Sequence, residues 1–119
     1  MYKRNKYKAK KASFNGRVYD SGLEADHAAN LDFLLKAGIV TDIKPQYKIS
    51  LDINGVHIAN YFIDFMVEFK DGRVEYHEVK GFETDLWRLK WRLTKAIYPD
   101  YNCVLLKQQN VKAYLKLNK

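Results

Sequence analysis

Residues 61–81 read YFIDFMVEFKDGRVEYHEVKG, and the organisation of the chain follows from how this stretch pairs with itself. β-Branched and aromatic residues crowd both halves, and Asp71-Gly72 between them is turn chemistry, so the stretch predicts an antiparallel hairpin. If the loop is Lys70-Asp71-Gly72, with Gly72 in the left-handed conformation, Phe69 pairs with Arg73 and Asp64 stands opposite Glu78. A two-residue loop at Asp71-Gly72 would pair Asp64 with Val79 and turn it to the other face. Glu78 and Lys80 are two apart, so strand alternation puts both on one face. In the first register two carboxylates and a lysine converge.

Working outward, Ser21-Gly22-Leu23-Glu24 has capping-box spacing. Leu23, Ala28, Leu31, Leu34 and Leu35 recur at helical spacing up to Gly38, predicting a helix over about 22–37. Tyr47, Ile49 and Leu51 alternate, Asn54-Gly55 marks a turn, and residues 56–69 are β-prone, giving two strands before the third at 74–80. Pro45 suits an edge strand. Downstream, Thr84 caps a second helix with an apolar stripe of Leu86, Leu89, Leu93 and Ile97 and a cationic one of Arg88, Arg92 and Lys95, ended by Pro99. Trp87 and Trp91, one turn apart, suit core packing or a dimer seam better than base stacking. Residues 102–106 form an apolar strand and 111–117 a closing helix. The fold class is α/β: helix, three-stranded antiparallel meander, helix, strand, helix.

A chain of 119 residues holds one domain, placed at 14–119 behind a flexible basic arm at 1–13. The single Cys103 excludes an intramolecular disulfide and a cysteine zinc site, and His27, His57 and His77 lack paired ligand spacing. With no stretch approaching a membrane span, the chain reads as a soluble cytoplasmic protein. The net charge of +7 is unevenly spread. Residues 1–11 carry six Lys/Arg and no acid, 12–85 seven against thirteen, and 86–119 eight against one. Basic flanks attract a polyanion, whereas an acidic middle repels it unless cations neutralise its carboxylates. A solubilising surface with a lysine-rich tail accounts for the same charges.

Facing carboxylates at about 5 Å repel each other and are tolerable chiefly around a divalent cation. Asp64, Glu78 and the Val79 backbone carbonyl suit Mg2+ or Mn2+, and Lys80 would orient a water or stabilise a phosphate. The plainer alternative is a solvent-facing Asp64 beside a Glu78–Lys80 surface pair. Against it, Asp64 interrupts a row shared with Phe62 and Met66. Glu24 is explained as the third residue of the capping box, yet it also borders the core-facing stripe and can point at the sheet.

An aspartate after Tyr61-Phe62-Ile63, a gap, and then Glu78-Val79-Lys80-Gly81 resembles the PD-(D/E)xK nuclease superfamily. With Ser21-Gly22-Leu23-Glu24 before it and a cationic helix after it, the chain is similar to phage endonuclease I type Holliday-junction resolvases, and to short phage and prophage proteins of that superfamily, over about residues 7–106. Asn60-Tyr61-Phe62-Ile63 stands where the motif usually has proline before the aspartate, and no long bridging segment for an exchanged dimer is present.

The resemblance implies a restriction-endonuclease-like core and a Mg2+- or Mn2+-dependent endonuclease that leaves 5′-phosphates and acts on branched DNA in recombination. Asp64 and Glu78 would bind metal, Lys80 would assist hydrolysis, and Glu24 would join the metal shell directly or through water. DNA would be held by the arm, through Lys3, Arg4, Lys6, Lys8, Lys10 and Lys11, and by Arg88, Lys90 and Arg92 after the site. The partners expected are DNA, four-way junctions included, and a second copy of the chain; the location is the bacterial host cytoplasm if the source is a phage. A non-catalytic DNA-binding accessory protein and a nuclease of duplex ends are the competing readings.

Overall fold

The computed structural model describes residues 12–14, 17–19 and 21–118. Among them the elements run β1 (Ala12–Phe14), β2 (Arg17–Tyr19), α1 (Gly22–Lys36), β3 (Val40–Ile53), β4 (Val56–Phe69), β5 (Val74–Val79), α2 (Asp85–Ile97), β6 (Cys103–Leu106) and α3 (Gln108–Asn118). The architecture is mixed α/β: a four-stranded mixed sheet in the order β3-β4-β5-β6 with three helices, beside a small β1–β2 hairpin. That hairpin takes Ala12 and Ser13 into a strand, where the sequence suggested the end of the arm.

Local chemistry sets the boundaries. The Ser21 hydroxyl accepts the Glu24 amide at 3.0 Å and starts α1. Gly38, at φ +79°, lets its own amide and that of Ile39 return to the Leu35 and Leu34 carbonyls, closing the helix in a Schellman motif. Leu31 and Leu34 are fully buried, whereas Leu35, expected on the same stripe, is exposed. Between β3 and β4, Asn54 and Gly55 both have positive φ, as a hairpin of type I′ requires. Between β4 and β5 the Phe69 amide donates to the Arg73 carbonyl at 2.8 Å and Gly72 sits at φ +93°. The ladder then runs from Glu68↔Val74 to Phe65↔His77, the register of the three-residue loop. β3, with Pro45, is an edge strand, and β6 joins β5 in parallel after α2.

Two cores result. Phe65, Val67 and Phe69 pack with Leu31 and Leu34 of α1 and with Val111 and Tyr114 of α3. Tyr61 and Ile63, with Ile49 and Leu51, pack instead with Trp87 of α2. On a flat strand Ile63 and Phe65 would share a face. Here they enter different cores because the level between them is distorted: Gln46, facing Asp64 between the Pro45↔Phe65 and Tyr47↔Ile63 pairs, has φ +51°. Asp64 therefore stands where the two cores part.

Helix α2 is rotated from the face that its leucines suggested. Leu86 and Leu89 are 61% and 53% exposed, and the buried residues are Trp87 and Thr94, with Trp91, Leu93 and Ile97 packed beside them. Trp87 supplies more apolar area than either leucine, and its Nε1 donates to Tyr61 Oη at 3.0 Å. The leucine stripe cannot face the sheet at the same time.

Candidate active site

Three elements bring the four central residues together. Glu24 comes from the first turn of α1, Asp64 from the level where the cores part, Glu78 from the end of β5 and Lys80 from the residue directly after it. Glu24, Asp64 and Glu78 are 6%, 9% and 4% exposed. A solvent-facing Asp64 and a surface Glu78 are thereby ruled out. Asp64 does interrupt its row, but Phe62 on one side is half-exposed while Met66 on the other is buried.

Beyond Phe65↔His77 the ladder between β4 and β5 changes character. The Asp64 amide donates to Glu78 Oε1 at 3.3 Å, and the Val79 amide donates to Asp64 Oδ2 at 2.8 Å. Each carboxylate thus stands in for a backbone carbonyl of the opposing strand. Since the N–H and C=O of a strand residue point to the same side, the Val79 carbonyl lies on the Asp64 side of β5. Lys80 Nζ is 3.6 Å from Glu78 Oε2 and 5.3 Å from the Trp87 ring centre. Burial, with the Asp64 charge behind it, pushes the Glu78 carboxyl up to about 8, against the opposing pull of Lys80. Tyr61, hydrogen-bonded to Glu78 and held by Trp87, has its phenol raised by burial and stays protonated.

Glu24 stands at the third position of the cap, and its side chain points at the sheet. Its amide closes the cap, and its carboxylate shares the side-chain amide of Gln46, whose Nε2 is 3.2 Å from Glu24 Oε2 and 3.4 Å from Asp64 Oδ1. Gln46 was missed by the sequence reading. Its positive φ is the only local oddity that could have pointed to it, and that oddity is conformational.

A second buried polar group was also missed. His27 and His77 are fully buried, with His27 Nε2 and His77 Nδ1 2.9 Å apart. His77 Nε2 meets Glu75 Oε1 at 2.8 Å, and Asn30 Nδ2 lies 3.4 Å from His27 Nδ1 and donates to the Val111 carbonyl at 2.9 Å. Two neutral imidazoles satisfy this chain if each carries its proton on Nε2. Burial and the neighbouring His77 depress His27 to about 2.

The proposed DNA contacts divide. Lys3, Arg4, Lys6, Lys8, Lys10 and Lys11 lie outside the described residues. Arg88 is engaged by Glu83 and Asp85, each at 3.2 Å, and Lys90 donates to the Asn60 carbonyl at 3.1 Å. Arg92 is exposed and makes no ion pair among the described residues. Phosphate contact by Arg88 or Lys90 therefore requires exchange of an existing partner.

The donors at this site are carboxylate, amide and peptide oxygens, the chemistry of a hard divalent cation rather than of zinc. Among the described residues no group of three or more His, Cys, Asp or Glu is already disposed as a ligand set. Gln46 and the Val79 amide engage the Asp64 oxygens instead. No helix among the described residues is long and apolar enough to cross a membrane.

A family model described as Protein of unknown function (DUF1064) matches residues 4–113. No curated protein and no solved structure matches the chain.

Proposed function

The chain belongs to the DUF1064 family, and we propose that it is a divalent-metal-dependent endodeoxyribonuclease of the PD-(D/E)xK type, with a restriction-endonuclease-like core, that hydrolyses branched DNA. One observation carries this reading: a buried carboxylate pair, Asp64 and Glu78, interlocked across two strands with Lys80 beside it. Burying two acids together is unfavourable, and a fold that needed only a sheet end would use backbone carbonyls there. Their position at the parting of two cores gives the expense a use, because a cation and a phosphate can complete the arrangement.

In this reading Asp64, Glu78 and the Val79 carbonyl hold Mg2+ or Mn2+, with Glu24 reached directly or through water. A bound divalent ion supplies Lewis-acid polarisation of the phosphate and a more acidic water. Lys80, with its Nζ 3.6 Å from Glu78 Oε2, is suited to orienting the attacking water or to neutralising charge on the scissile phosphate. Gln46 keeps Glu24 and Asp64 apart yet connected, and Tyr61 and Trp87 fix the Glu78 carboxylate from the core side. The uneven charge fits the same reading, since basic ends draw DNA towards an acidic centre that cations neutralise.

The test uses a labelled four-way junction and a matched linear duplex, each with Mg2+, Mn2+ or EDTA, and Lys80→Ala protein as control. Cleavage of the junction alone, lost in EDTA and in the variant, is the expected result. Equal cleavage of both substrates retains the nuclease and removes junction selectivity. Binding with no cleavage under any condition overturns the enzyme in favour of a DNA-binding accessory protein.

A further inference from the structure

Strands β5 and β6 run parallel and end together. Their register closes at Val79↔Leu106, and the Lys80 amide donates to the Leu106 carbonyl at 3.0 Å, so the next residues, Lys80 and Lys107, leave the sheet side by side. Adjacent strands lie about 5 Å apart, which brings two lysines to the sheet end that holds the acid pair. A third cation, Arg88, comes from the first turn of α2. Among the three stands Glu83, in the connection that links β5 to α2. Its Oε1 accepts from Arg88 Nε at 3.2 Å, and its Oε2 accepts from Lys107 Nζ. Arg88 also meets Asp85 Oδ1 at 3.2 Å, on the exposed side of α2.

One carboxylate is thus held by two cations, and water reaches all three groups: the side chains of Lys107, Glu83 and Arg88 are 34%, 24% and 54% exposed. The hydrogen bond from Lys107, with that from Arg88 behind it, holds the Glu83 carboxyl below the usual range. Partly exposed ion pairs of this kind contribute little to stability. Fastening the connection would require one cation, whereas a lysine and an arginine converging on one anion are the donor set of a phosphate seat. Lys107 escaped the sequence reading because 24 residues separate it from Glu83.

We propose that Lys107 and Arg88 form a seat for a DNA backbone phosphate beside the acid pair, and that Glu83 is an internal anion which occupies the seat until DNA displaces it. For its ligand the seat rests on the nuclease reading. To that reading it adds Lys107 as a phosphate contact and Glu83 as an inhibitory carboxylate. Lys80 links the two places, being the neighbour of Lys107 across the strand ends and 3.6 Å from Glu78 Oε2. A DNA strand whose scissile phosphate meets the acids therefore sets a neighbouring phosphate over Lys107. On binding, the two cations exchange one anion for another, and Glu83 leaves as a free carboxylate on the connection that contains Gly81.

Fluorescence anisotropy of the full chain with a labelled DNA duplex in EDTA, over a salt series, tests the seat without cleavage. Glu83→Gln is expected to bind about 3–10-fold more tightly than the wild type, because the seat no longer has to be vacated. Lys107→Ala is expected to bind more weakly and to lower the salt slope by about 0.9, the share of one phosphate contact. In the Lys107→Ala background the gain from Glu83→Gln should shrink. Asp71→Asn and Lys70→Ala make the same charge changes in the turn at the other end of β5, and each should alter affinity by less than about twofold. A clamp that only fastened the connection would lose the same ion pair in Glu83→Gln and in Lys107→Ala and would move affinity in the same direction in both. Glu83→Gln no tighter than Asp71→Asn, or Lys107→Ala no weaker than Lys70→Ala, overturns the seat and leaves the nuclease reading to its own cleavage assay. A wild-type protein that binds no DNA overturns both.

Discussion

Replacing Glu78 by glutamine keeps the shape of the side chain, keeps an oxygen for the Asp64 amide and removes a buried carboxyl that the fold holds protonated at neutral pH. Below the ordinary carboxylate value of 4.5 the group is protonated in folded and unfolded chains alike. Between 4.5 and about 8 the folded chain keeps a proton that the unfolded chain has released, so stability falls as pH rises; above about 8 the loss is complete and constant. Each pH unit in that interval is worth up to about 1.4 kcal/mol, a ceiling of about 5 kcal/mol. Relaxation and water entry at a strand end return part of it, leaving about 2–3 kcal/mol. Glu78→Gln should therefore be the more stable protein at pH 8 by that amount and should approach the wild type near pH 4.5. Urea unfolding followed by tryptophan fluorescence in EDTA, over a pH series, reads the difference, with all other titrations shared by both proteins. Parallel stability curves would refute the assignment of a raised, burial-driven Glu78.

Other variants test the remaining parts of the site. Asp64→Asn should lower cleavage by at least about 10²–10³-fold with DNA affinity within about twofold of the wild type, measured by gel assay and fluorescence anisotropy. Gln46→Ala removes the shared amide between Glu24 and Asp64, and should weaken the response to Mg2+ by roughly 10–100-fold in a cleavage titration while leaving the unfolding midpoint nearly unchanged. His27→Leu strips the buried partner from His77 Nδ1 and should destabilise the fold by about 2–4 kcal/mol in urea, with no effect on the pH dependence assigned to Glu78.

What the sequence disclosed, and what it hid, follows from the range of each interaction. The β4–β5 register was legible because three adjacent residues, Lys70-Asp71-Gly72, decide it, and Asp64 and Glu78 came to one place as a consequence. The α1 boundaries were legible for the same reason, being set by Ser21 and Gly38. The orientation of α2 was not. Leu86 and Leu89 have the right period, and only the distant Tyr61, receiving the Trp87 indole, decides between them and the tryptophans. His27 and His77 are 50 residues apart, and no local pattern joins them. Gln46 is an unremarkable polar residue in a β-prone run until the distortion beside Asp64 turns it towards two acids.

The exchange of carboxylates for carbonyls between β4 and β5 also ties chemistry to the order of folding. Asp64 and Glu78 meet only when the hairpin closes in one register, and a slip of a single residue separates them. The loop between the strands is three residues long, so this closure is among the least demanding long-strand contacts in the chain. Glu24 and Gln46 arrive from α1 and β3, across longer separations. During refolding the acidic pair should therefore be assembled early, and the amide that links it to Glu24 should be added late.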